Sequence, residues 1–128
     1  VLDEPLAGLD PERSRLVADR IRQIHEEGIS VVLSTHDLEF AAEIADRVCV
    51  MADGNVVGNG TPREVFYDDD LLERANLHPP SQVRLARRAG VDATARPVTE
   101  SELVALLRTG SDGTPAVRTS APDGPGRE

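Results

Sequence analysis

The chain has 128 residues, room for one small domain, and carries 23 acidic against 14 basic side chains for a formal net charge of −9. Such a surface repels phosphate backbones, which argues against a free-standing nucleic-acid binder. Every basic residue is arginine and no lysine occurs, and no run approaches the roughly 18 apolar residues that span a bilayer, so work at a membrane would pass through a membrane partner.

The first predicted element is a strand ending at the paired carboxylates Asp3-Glu4. Asp10-Pro11-Glu12 then reads as an N-cap, a proline at the first helical position and an acidic first turn, with Gly28 as the stop. Leu16, Val17, Ile21 and Ile24 recur between them at helical spacing, which predicts an amphipathic helix with its Arg and Glu residues outward. Ile29 to Ser34 is predicted as a buried strand. Asp37 caps a second helix through about Ala45, with Leu38, Ala41, Ala42 and Ala45 inward.

Val48 to Ala52 follows as a strand, and its apolar setting predicts that Cys49, the single cysteine, is a buried, inert thiol. Asp53-Gly54-Asn55 is a hairpin signal leading to Val56-Val57, with Gly58-Asn59-Gly60 ending that strand. Thr61-Pro62-Arg63-Glu64 reads as a capping box opening a helix. Asp68-Asp69-Asp70 is a solvated helix start without the spaced ligands of a calcium loop. A short helix is predicted around Ser81 to Ala89, and a Thr99-x-x-Glu102 box opens another over Leu103 to Leu107. Residues 110–128 carry too little apolar surface to offset the entropy of ordering and read as a disordered tail. The alternation of strands and helices makes the class α/β.

Candidate chemistry sits at the two early strand ends. Adjacent carboxylates at a strand tip suit metal–nucleotide work: Asp3 can hold Mg²⁺, while Glu4 reaches past it to polarise a water aimed at a γ-phosphate. His36, directly after the next apolar strand, could touch the same phosphate. An acidic pair alone is also what a solvated turn looks like, and a lone His is more often a capping residue. The run from Glu4-Pro5 into Ala7-Gly8-Leu9-Asp10, together with Ser34-Thr35-His36-Asp37, is the more specific signal. His25 and His78 have no second His or Cys at ligand spacing and read as structural.

Those two stretches resemble a known family, the ATP-binding cassette (ABC) ATPases. Val1 to Asp10 resembles the end of the Walker B strand and the D-loop, and Ser34 to Asp37 the switch loop. The resemblance implies ATP and Mg²⁺ as ligands, with Asp3 the Mg²⁺ carboxylate, Glu4 the general base, Asp10 the D-loop aspartate at a dimer interface and His36 the γ-phosphate sensor. Leu6 stands where the family most often has Thr or Ser, so that hydroxyl contact is absent. Neither a Gly-x-x-x-x-Gly-Lys-Ser/Thr loop nor a Leu-Ser-Gly-Gly-Gln type signature occurs. The expected fold is thus the C-terminal half of a P-loop NTPase domain, a mostly parallel sheet flanked by helices with a small helical C-terminal extension, here as a truncated piece.

Asp70 to Pro80 and the helix after it resemble the extension of the cobalt-type and energy-coupling-factor ATPases of importers. The implied division is residues 1–67 as a partial nucleotide-binding domain, 68–109 as the extension and 110–128 as the tail. The implied partners are a second ABC ATPase subunit, identical or paralogous, and transmembrane permease subunits, at the cytoplasmic face of the cell membrane and with no nucleic acid. The transported cargo would be cobalt, nickel or a vitamin. Two other readings stay open: a soluble ABC ATPase of DNA repair or translation, whose heptads, second cassette or basic arms are not visible here, and an inactive half-cassette.

Overall fold

The computed structural model describes residues 1–109; the expected tail over 110–128 lies outside the described residues. The elements run β1 (Leu2–Asp3), α1 (Pro11–Glu26), β2 (Leu33–Ser34), α2 (Leu38–Ile44), β3 (Val48–Ala52), β4 (Asn55–Gly60), α3 (Pro62–Phe66), α4 (Asp69–Arg74), α5 (Ser81–Arg88) and α6 (Glu100–Thr109). Pairing is divided between two sheets: β1 and β2 run parallel, and β3 and β4 antiparallel.

Local rules account for most of the boundaries. The Asp10 side chain accepts the Arg13 amide at 2.8 Å to start α1, and Gly28, at φ +89°, takes the left-handed conformation that ends it. Asp37 accepts from Phe40 at 3.0 Å and Asp68 from Leu71 at 3.0 Å, capping α2 and α4. At α3 the full capping box closes, with Thr61 and Glu64 each receiving the other's amide. Asp53 and Gly54, both with positive φ, make the two-residue turn of the β3–β4 hairpin.

Two hydrophobic clusters hold the elements. The larger contains Ala41, Ala42, Val50, Val65, Phe66, Leu71, Leu72, Val83 and Val98, drawn from α2, β3, the three helices α3 to α5 and the segment before α6. The smaller contains Ala18, Ile21 and Phe40, with Leu6, Val31 and Leu33 against it. Helix α2 contributes to both. It therefore buries Phe40 as well as the predicted Ala41 and Ala42, because two bodies flank it.

Four expectations need correction. Ile29 to Ser34 is not a buried strand: only Leu33 and Ser34 pair, and Ile29 and Val32 are 53% and 64% exposed, because nothing among the described residues covers the second face. On α1, Leu16 is exposed and Ala18 takes the inner position. Strand β4 runs through Gly58 to Gly60 instead of ending before them, because these residues go on pairing with Val50, Cys49 and Val48 of β3, and the missing side chain at Gly58 leaves room for one of α4. Finally, Cys49 is exposed. Strand alternation sends Val50 into the core and turns Cys49 and Met51 to the other face.

Residues 63–102 are tied together by polar contacts. Arg63 bonds to Glu102 and to the Arg96 carbonyl, and the Tyr67 hydroxyl donates to the Pro97 carbonyl at 2.7 Å. The Arg87 and Arg96 guanidinium groups lie 5.5 and 5.9 Å from the Tyr67 ring centre. At the start of α6 the Thr99 hydroxyl accepts from Glu102, but the Glu102 carboxylate returns to the Val98 amide. The predicted box is thus closed one residue early.

Candidate functional site

Parallel pairing brings the carboxyl ends of β1 and β2 side by side, with Asp3 opposite Ser34. The Leu2 amide donates to Val32 at 2.8 Å and the Glu4 amide to the Ser34 carbonyl at 2.9 Å, which fixes the register. Past this pair the chain turns sharply. Glu4 has φ +45°, a left-handed conformation that costs a non-glycine residue on the order of 1 kcal/mol. The turn continues through an Ala7 to Glu4 bond of 3.1 Å and reaches Asp10.

The side chains at these tips form one connected group. Glu4 Oε1 lies 2.9 Å from His36 Nδ1, and the His36 side chain is far more exposed than that of Glu4. The hydrogen bond to Glu4, and after it the Glu4 charge, raises the His36 pKa above the ordinary imidazole value. Ser34 stitches the two carboxylate residues: its hydroxyl donates to Asp3 Oδ1 and lies 3.3 Å from the Glu4 amide. The Thr35 hydroxyl accepts the Asp37 amide at 3.0 Å, holding the loop from β2 to α2.

Three of the four predicted site residues, Asp3, Glu4 and His36, therefore converge. Asp10 does not bond to them; its carboxylate caps α1 and lies 3.7 Å from the Arg13 guanidinium. Sequence reasoning missed Ser34 as part of the site, although a hydroxyl residue at the end of the apolar run was a usable signal. It also missed Glu39, whose two carboxylate oxygens accept the Ser81 amide at 2.9 and 3.2 Å. His25 is placed elsewhere, 3.2 Å from Asp46.

As a cation site the donor set is sparse. No group of three His, Cys, Asp or Glu residues suited to a metal ion occurs among the described residues. A lone Asp3 carboxylate, with one oxygen oriented by Ser34, fits a Mg²⁺ that takes its other ligands from water and phosphate, and does not fit an all-protein cage. No described helix is long and apolar enough to cross a membrane.

No family model matches the chain. Curated proteins do. A putative ABC transporter ATP-binding protein of Methanopyrus kandleri is 40% identical over 118 residues, covering 90% of this chain and 44% of that protein. An energy-coupling factor transporter ATP-binding protein of Lacticaseibacillus paracasei is 42% identical over 111 residues, 84% of this chain and 38% of its own length. Another, from Caldanaerobacter subterraneus, is 43% identical over 111 residues, with 84% and 40% covered. The chain spans about two-fifths of the length of these relatives. Identity at this level over most of the chain makes it a homologue of the ABC transporter ATP-binding proteins, energy-coupling factor subunits among them.

Proposed function

We propose that the chain supplies the carboxylate-and-histidine part of the ATP-hydrolysing subunit of an ABC importer of the energy-coupling-factor type, carrying cobalt, nickel or a vitamin. The observation that carries this reading is the 2.9 Å contact between Glu4 and His36 beside Asp3, at the tips of two parallel strands. In this reading Glu4 orients and deprotonates the attacking water. His36 holds that carboxylate in place and meets the γ-phosphate with its exposed edge. Asp3, steadied by Ser34, holds Mg²⁺, which when bound offsets charge on the β- and γ-phosphates.

The phosphate-cradling lysine loop and the signature must come from other residues, since the sequence has neither. Residues 1–67 then act as part of the nucleotide-binding domain, in which β1 and β2 join a mostly parallel sheet. Residues 68–109 form the extension. Asp10, besides capping α1, faces a second ABC ATPase subunit, and transmembrane permease subunits take up the closure of that dimer at the cytoplasmic face of the cell membrane.

The test is steady-state Mg²⁺-ATP hydrolysis by the protein expressed from its genomic locus, beside its Glu4→Gln variant and the 128-residue chain alone. Turnover that falls about 100-fold or more in Glu4→Gln, and is absent from the chain alone, supports the reading. Turnover unchanged by Glu4→Gln removes Glu4 from the chemistry. Hydrolysis by the chain alone would contradict the need for a lysine loop, and none under any condition would favour an inactive half-cassette.

A further inference from the structure

Helix α2 has an unusual position. At its N-terminus Asp37 caps the helix from the residue next to His36. One turn further on, Phe40 enters the small cluster with α1 and β2, while Ala41 and Ala42 enter the large cluster with β3 and α3 to α5. Between these contacts Glu39 reaches out to the first amide of α5 with both carboxylate oxygens. That amide needs an acceptor: α5 begins after Pro80, which offers no side-chain cap. The cap comes instead from 42 residues away in sequence.

We propose that Glu39 is a positioning residue that locks α5 of the C-terminal segment to the His36 loop, so that a displacement of residues 81–88 is felt at His36. A carboxylate at a helix N-terminus is favoured by the orphan amides and by the helix dipole together. Pro80 and Val83 are buried, and Val83 shares the large cluster with Ala41 and Ala42 of α2, so apolar packing as well as the cap ties α5 to α2. Removing the cap loosens α5 at its first turn, and any resulting shift of α2 is read three residues upstream of Glu39, at His36. The inference concerns this linkage and goes beyond the proposed ATPase reading. It is read without ATP, so its failure and the failure of that reading are separable.

Amide hydrogen exchange and His36 ring resonances in the full chain, recorded at one fixed pH, provide the test. Glu39→Ala and Ser81→Pro remove the acceptor and the donor in turn, and proline is tolerated at a first helical position. Both are expected to speed exchange at the α5 amides about fivefold, the effect of losing one ordinary cap, and to shift the His36 ring signals. Glu39→Gln keeps an acceptor oxygen and should restore most of both. Glu43→Ala, which removes from α2 a carboxylate 3.5 Å from Arg22 of α1, should move neither. Faster α5 exchange with unmoved His36 signals would reduce Glu39 to a helix cap and overturn the proposal. So would unchanged exchange in both variants, or equal His36 shifts in Glu43→Ala.

Discussion

Replacing Gly58 by alanine isolates one close contact. A Cβ there would stand 2.6 Å from Leu71 Cδ1, closer still to Cδ2, and 3.1 Å from Cγ. The Gly58 backbone needs no positive φ, so the cost is steric alone. Leu71 is 4% exposed and shares the large cluster with Val65, Phe66 and Leu72, so its methyl groups are held by packed neighbours. Overpacking of this kind costs about 1–3 kcal/mol. A loss near 2 kcal/mol, at a slope of about 1.5 kcal/mol per molar, lowers the urea midpoint by about 1.3 M. Leu71→Ala alone should cost about 2–5 kcal/mol, and adding Gly58→Ala to it should cost little more, because the new methyl enters the vacated space. Additive losses, or a Gly58→Ala midpoint within about 0.2 M of the parent, would refute the packing argument.

Three further outcomes are expected. The raised His36 pKa means that the contact with Glu4 contributes fully below the ordinary imidazole pKa and is lost as pH rises through the raised one. An NMR titration of the ring should show a midpoint above the ordinary value that falls back in Glu4→Gln; a parent midpoint at or below the ordinary value would sink this. Ser34→Ala removes the donor to Asp3, so the Mg²⁺ concentration at half-maximal ATP turnover of the genomic-locus protein should rise about tenfold, with Ser34→Thr close to the parent. An unaltered Mg²⁺ dependence would deny Ser34 that part. Cys49, exposed on the outer face of β3, should react with a disulfide reagent in the native chain within about tenfold of a free peptide thiol, whereas protection by two orders of magnitude would contradict its placement.

What could be read from the sequence was local in origin. The caps at Asp10, Asp37 and Thr61–Glu64, the turn at Asp53-Gly54 and the stop at Gly28 are each set within about four residues, and each is found where expected. The convergence of Asp3, Glu4 and His36 was legible through motif spacing. What failed depended on partners distant in the chain. Whether Ile29 and Val32 are buried is decided by what lies over the strand, not by their own hydrophobicity. Leu16 and Ala18 exchange roles because the inner face of α1 is set by where Phe40 and Leu33 approach. The bonds from Ser34 to Asp3 and from Ser81 to Glu39 cross 31 and 42 residues, and no periodicity announces them.

The unequal reach of the two sheets bears on how the molecule assembles. The β3–β4 hairpin closes on itself through a two-residue turn, and α3 and α4 follow within a few residues. The β1–β2 pair must instead close a loop holding all of α1 to gain two residue pairs. Loop-closure entropy therefore weighs more on the corner that bears Asp3, Glu4 and His36 than on the hairpin, and the corner is expected to form after the hairpin. Refolding followed at His36 should lag refolding followed at Cys49, so a nascent chain would acquire its architecture before its reactive groups meet.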